Sequence, residues 1–345
     1  MVIVIQYLRG LAAALVVYTH LDTQIARISP GTALPWAEIG NWGVDIFFVI
    51  SGFIMYVAAI DLDARPLNFL MRRAVRIVPL YWAITAVIVA AASVVPSMLA
   101  STSLEANHVL ASLLFLPWPN PAYPGLWPVL IPGWTLNYEM YFYIAVAIGL
   151  LAPRRFRILL TSAIVIGVLV AVQVSQPPTA LAFYGNDIVL EFLFGLLAGH
   201  LFTHRRPLGP AMGGCLIALS IGSVLWMADS ALPRSLASGL PALLLVLGSL
   251  QFEARARQSV FRPGLHLGDM SYSLYLTHVI ALPMVTAVFS RLGARSGFDL
   301  SWAYPVVAAL FALLVAAMVY RVVEKPLTRQ FRSVTGEFRA REAGA

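Results

Sequence analysis

Ten predominantly apolar stretches follow one another along the chain, at 5–23, 41–60, 77–97, 134–152, 158–175, 186–203, 210–228, 236–252, 268–290 and 302–322. Each is close to the roughly 20 residues that a helix needs to cross the hydrocarbon of a bilayer. No other feature restricts the fold as strongly. A backbone in hydrocarbon must satisfy its own N–H and C=O groups, and single segments of this length do so only as α-helices. The expected fold is therefore all-α: a polytopic integral membrane protein of about ten transmembrane helices. Composition agrees, because 60% of the 345 residues are hydrophobic and 11% are charged, which excludes an ordinary soluble domain. A further apolar patch, 109–118, is shorter and runs into prolines, so it reads as a re-entrant or interfacial piece within one long loop.

Orientation follows from the basic residues, which gather in short cytoplasmic loops. With the N-terminus inside, nineteen of the 23 Lys and Arg fall on the cytosolic side, against four outside: Arg27, Arg234, Arg291 and Arg295. Both termini are then cytosolic, as an even number of spans requires. The formal net charge of +7 is spread between apolar segments instead of forming one patch, so nucleic acid is not an expected partner. The single cysteine, Cys215, excludes a disulfide framework and a thiol pair. Arg9 interrupts the first apolar run and no small-residue cleavage site follows, so that run is expected to remain as a helix. Residues 1–325 read as one transmembrane domain and 326–345 as a cytosolic tail.

Ionisable groups inside such helices are costly and turn toward the protein interior or a wet cavity, which makes them site candidates. Arg9 and His20 are eleven residues apart, about three turns plus 20°, so they share one helix face and stand about 16 Å apart along the axis. His20, Asp45 and Glu139 belong to three different helices, yet each lies about 5 to 7 Å below its outer helix end. A carboxylate beside a histidine can fix the ring's tautomer and stabilise the imidazolium formed on proton uptake. Simpler readings stay open. Arg9 can mark the cytosolic end and His20 the far headgroup level, and acids can cap helix N-termini, the preferred reading for Asp187, which shares a face with Glu191. On the cytosolic side Arg73 and Arg76, three apart and next to Arg72, can fork onto one anionic partner or contact lipid headgroups.

Of six histidines, His108, His200, His204 and His266 read as structural or solvated. His278 lies about 15 Å into its helix on a stripe with Tyr275 and Ser271, and is a candidate. The longest exterior loop, about 100–133, interleaves prolines with Trp118, Tyr123 and Trp127. Those rings suit either an interfacial lid or a surface on which a sugar stacks. No metalloprotease, phosphate-loop or nucleophile-elbow motif occurs.

Five segments in order carry a resemblance: Tyr-Leu-Arg-Gly-Leu-Ala-Ala from 7 with His20 beyond it, Gly-Val-Asp-Ile-Phe-Phe-Val-Ile-Ser-Gly-Phe at 43–53, Arg-Arg-Ala-Val-Arg-Ile-Val-Pro-Leu-Tyr-Trp at 72–82, Trp-Thr-Leu-Asn-Tyr-Glu at 134–139, and Ser-Tyr-Ser-Leu-Tyr-Leu-Thr-His at 271–278. Together they resemble the acyltransferase-3 family of bacterial membrane O-acyltransferases, with most likeness to its exopolysaccharide-acetylating branch. The resemblance implies transfer of an acyl group, usually acetyl from cytosolic acetyl-CoA, to a hydroxyl of a glycan or polyprenyl-linked sugar, in the bacterial inner membrane and with no metal. It implies functional roles for Arg9, His20, Arg73, Arg76 and Glu139. The expected arrangement has the CoA phosphates near Arg72, Arg73 and Arg76, and Arg9 beside the pantetheine. His20 is the general base, Glu139 or Asp45 orients it or binds the sugar, and Trp134, Asn137, Tyr138, Tyr275 and His278 line the acceptor side. An acyl-histidine intermediate is a rival. A flippase for lipid-linked sugars and a subunit of a polysaccharide export complex are alternatives of another class; neither inverted halves nor paired broken helices favour the first.

Overall fold

The computed structural model describes residues 2–60, 65–94, 104–227, 230–296 and 299–330. Among them there is no strand. The main helices are α1 (Ile3–Ile28), α2 (Trp42–Met55), α3 (Pro66–Val94), α4 (Ala106–Leu113), α5 (Trp134–Gly149), α6 (Arg157–Ser175), α7 (Leu190–His204), α8 (Pro210–Met227), α9 (Leu240–Leu250), α10 (Glu253–Gln258), α11 (Arg262–Asp269), α12 (Ser271–Ser296) and α13 (Tyr304–Val319). All ten expected spans coincide with helices. Eight described helices, taken with their flanking turns, are long and apolar enough to cross a membrane, and Ser235–Leu250 is a shorter apolar helix. The tenth, α5, has 16 residues and carries Asn137 and Glu139 in its first turns. The protein is an all-helical polytopic membrane protein.

Two expectations of extent change. The third helix begins at Pro66 and not at 77, so Arg72, Arg73 and Arg76 stand within it. Arginines lower the hydropathy of that half, but arginine is a good helix former and a proline at the first position is pre-set for a helix start. Its expected end, 95–97, lies outside the described residues, as does tail segment 331–345. The short apolar patch is the eight-residue α4, closed by Phe115 at a φ of 58°.

The described residues form two compact units, one from 1–50 and 197–320, the other from 51–196 and 321–330. In the first, α1 packs on α11, α12 and α13. Tyr304, Ala308, Ala312 and Ala316 recur every fourth residue of α13 and are fully buried in the core that contains Ala13, Val17 and Leu274. Small residues on one face let helix backbones approach where lipid supplies no hydrophobic drive. Gly43 serves the same end, because a Cβ there would run into the Ala12 carbonyl of α1. The first turn of α1 has no acid of its own. Its Ile3 and Val4 N–H groups instead donate to the Glu253 carboxylate, at 3.1 and 3.0 Å, and Arg257 pairs with the same carboxylate. Negative charge at a helix N-terminus is favoured by about 0.3–1 kcal/mol.

In the second unit α5 packs against α3 and α6. The loop after α4 is pinned by side chains, since its prolines offer no N–H. His108 and Asn120 both bond the Trp127 carbonyl, at 2.9 and 3.2 Å, and the Asn120 amide oxygen accepts from Ala122 and Tyr123. Ser112 Oγ donates to the His108 carbonyl and accepts from the Val129 N–H. His108 is thus a fully buried structural histidine.

Candidate functional site

Within the first unit, α1 and α12 bring His20 and His278 together. Their ring centroids are 4.6 Å apart and their planes cross at 74°. His20 Nδ1 stands 2.8 Å from the Val16 carbonyl, one turn back. A carbonyl only accepts, so a neutral His20 carries its proton on Nδ1 and holds a basic lone pair on Nε2. His20 is half-buried. His278 repeats the pattern, with Nδ1 3.2 Å from the Leu274 carbonyl, but it is fully buried and its Nε2 has no hydrogen-bond partner. Tyr275 lies 6.0 Å from His278 and packs edge-on against Phe47 at 5.7 Å.

Asp45, one of the carboxylates expected to orient His20, has a partner of its own. Asp45, 1% exposed, accepts a bidentate pair from Arg234, Nε to Oδ1 at 2.8 Å and Nη2 to Oδ2 at 3.0 Å. Beside that pair, Trp42 Nε1 donates to the Ser238 carbonyl at 3.0 Å. This corrects the reading in which an acid fixes the His20 tautomer: the Val16 carbonyl does so. The physical reason is local, since the residue four back on a helix always offers its carbonyl to a ring nitrogen aimed along the axis. Arg9, near the start of α1, is buried and its Nη1 donates to Gln6 Oε1 at 2.9 Å.

The second unit holds the other cluster. Glu139 Oε1 accepts from Ser51 Oγ at 2.8 Å and from the Tyr143 hydroxyl, one turn further along α5. Glu139 and Tyr143 interact electrostatically with Arg73, as do Arg72 and Arg76 from its own helix. The Arg73 guanidinium carbon is 5.7 Å from the Phe69 ring centre, and its buried Nε has no hydrogen-bond partner. Arg73 thus stands between the Glu139 carboxylate and two further guanidinium groups of its own helix. Asn137 is 1% exposed and neither atom of its amide is hydrogen-bonded.

An aromatic cleft of about 520 Å³ also belongs to the second unit. Trp127, Trp134, Tyr138 and Phe183 line it with Gly125 and Asn186. Trp127 stands perpendicular to Trp134 and Trp134 to Tyr138, at centroid separations of 6.1 and 6.0 Å, while Tyr138 stacks on Phe183 at 4.1 Å. The Tyr138 hydroxyl donates to the Phe183 carbonyl at 2.7 Å, which holds that stack. Beside it, burial pushes the Tyr184 phenol above its ordinary value, so it stays a hydrogen-bond donor. Trp118 and Tyr123 are exposed and do not line the cleft.

A paired imidazole with a free basic nitrogen, and a cluster of arginines on one helix, suit proton transfer and anion recognition. The family model described as an acyltransferase domain (Acyl_transf_3) matches residues 2–321. The chain belongs to this acyltransferase family. It is 38% identical to the exopolysaccharide production protein ExoZ of Rhizobium meliloti (strain 1021), over 86% of this chain and 92% of that one. It is 28% identical to the putative membrane-bound transacylase BcsY of Komagataeibacter xylinus, over 90% and 87%, and 26% identical to the acyltransferase MdmB of Streptomyces mycarofaciens, over 93% and 90%. No solved structure matches the chain.

Several partners in this acyltransferase escaped the sequence reading. Tyr143 had a signal, since it follows Glu139 by four residues on one helix face. Ser51, Arg234 and Phe183 had none, because each meets its partner through tertiary packing. Asp187 lies in the first turn, as its reading as an acid at a helix N-terminus expects, and the Asn186 side chain before it accepts from the Ile188 N–H. His200 and His204 stack on each other at 4.7 Å, and His266 is exposed.

Proposed function

We propose that the protein transfers an acyl group, most simply acetyl from acetyl-CoA, to a hydroxyl of a glycan, and that Nε2 of His20 is the general base. The observation that carries this reading is the His20 ring itself. Its Nδ1 is tied to the Val16 carbonyl, and its Nε2 lone pair remains available in a chain of an acyltransferase family. Nε2 takes the hydroxyl proton as the sugar oxygen bonds the thioester carbonyl carbon. The tetrahedral adduct then collapses, the C–S bond breaks, and the imidazolium returns its proton to the departing thiolate.

The donor's phosphates are recognised by Arg73 with Arg72 and Arg76, since guanidinium forks match phosphate oxygens. Glu139, fixed by Ser51 and Tyr143, balances part of that charge and orients Arg73. Arg9 serves the pantetheine arm. The acceptor is a polysaccharide or its lipid-linked precursor, a reading supported by the similarity to the exopolysaccharide production protein of Rhizobium meliloti. Its sugar rings stack on Trp127, Trp134 and Tyr138, because aromatic faces offer apolar contact beside polar edges; Asn137 supplies unspent hydrogen bonds. The Lys and Arg distribution supports cytosolic termini in a bacterial inner membrane, with 1–325 acting as one catalytic domain.

The test is acetyl transfer by the purified protein in lipid nanodiscs, supplied with acetyl-CoA and the producing bacterium's exopolysaccharide after base de-O-acetylation. Native protein forms O-acetyl groups visible by proton NMR, and His20→Ala does not. Acetylation at the native rate by His20→Ala overturns the assignment of the base.

A further inference from the structure

We infer that His278 is a positioning residue for His20, one that holds its ring and stabilises the imidazolium formed during transfer. The inference rests on the reading of His20 as base and extends it to a second residue.

Three observations converge. The two rings meet edge to face at 4.6 Å, with no hydrogen bond between them among the described residues. His20 is therefore fixed at two points, by the Val16 carbonyl along its own helix and by a ring from α12 at its side. Second, the His278 tautomer is set in the same way, with Nδ1 toward the Leu274 carbonyl, so the negative end of the ring dipole is at Nε2. Third, that Nε2 is buried without a partner. An unpaired buried acceptor is a cost to folding that phenylalanine would avoid in the same space. The fold gains nothing from this nitrogen.

The gain lies in the reaction. When Nε2 of His20 accepts the sugar proton, both of its nitrogens are committed, one to Val16 and one to the substrate oxygen. What remains to stabilise the new positive charge is the surrounding field. A neutral imidazole of fixed tautomer, in ring contact and shielded from water, is a preorganised dipole that need not reorient as the charge appears. Such a group lowers the barrier without binding either substrate.

His278→Phe keeps the ring's shape and removes its dipole, while His278→Asn keeps a donor toward Leu274 and restores an oxygen as the negative end. In the nanodisc assay, His278→Phe is expected to lower kcat about tenfold with KM for acetyl-CoA and for the glycan unchanged. Its thermal unfolding midpoint should equal or exceed that of the native protein, and His278→Asn should recover part of kcat. A native kcat in His278→Phe, or a loss that follows a lowered unfolding midpoint in both variants, overturns the inference. His20→Ala separates the two levels. Inactivity there together with a fully active His278→Phe removes only the role of His278, whereas an active His20→Ala removes the base and this inference with it.

Discussion

The two polar clusters are built on opposite principles. In the first unit, His20 and His278 are tied by one nitrogen each to their own helices, and their other nitrogens are left bare. In the second, the Glu139 carboxylate is claimed by a serine, a tyrosine and an arginine's field at once. A bare lone pair is reactive and structurally expensive; a carboxylate oxygen that accepts from two donors is held in place and holds its neighbours still. The contrast separates a cluster suited to moving a proton from one suited to holding a charged ligand.

Substitutions can break that contrast at either end. The largest effect is expected at His20: removing a general base costs about 10²- to 10⁴-fold in kcat, so His20→Ala should lose that much acetyl transfer and still insert in the membrane, measured as O-acetyl formed per mole of purified protein. Next comes Arg73→Ala, which should raise KM for acetyl-CoA about 10- to 100-fold, the worth of a charge-assisted contact, and leave kcat nearer native in initial-rate kinetics. Arg73→Lys should recover only part of it, because a lysine cannot fork. A large kcat loss with unchanged KM at Arg73 would erase the distinction between the clusters.

Smaller is Glu139→Gln, which keeps acceptors for Ser51 and Tyr143 and removes the charge. It should raise KM for acetyl-CoA by about a few fold without approaching the kcat loss of His20→Ala. Smallest is Asp45→Asn. It removes the ion pair with Arg234, whose side chain is 37% exposed, so water takes up much of the freed guanidinium. A loss of about 1 kcal/mol or less in unfolding free energy, with transfer within about twofold of native, would assign Asp45 to structure and leave catalysis to the histidines.

Much of this was legible in the chain. The apolar runs gave the helices, because hydrocarbon forces each one to close its own hydrogen bonds. The spacing of Tyr304, Ala308, Ala312 and Ala316 in α13 already describes a face made for close packing. The extent of a helix was harder to read where a charged half sits outside the hydrophobic window, as before Ile77 in α3. His20, Asp45 and Glu139 do share a calculated level, but each also meets a residue distant in the chain, His278, Arg234 and Ser51 in turn, that no spacing rule encodes.

By itself the sequence determined an all-helical membrane protein, the family and the ionisable residues embedded in its helices, since these depend on composition, local periodicity and ordered motifs. Which group touches which was decided only by tertiary structure. His278 lies far from His20 along the chain, Arg234 from Asp45, and Ser51 from Glu139. Such meetings depend on how whole helix faces pack, a property of several segments at once that no single one contains.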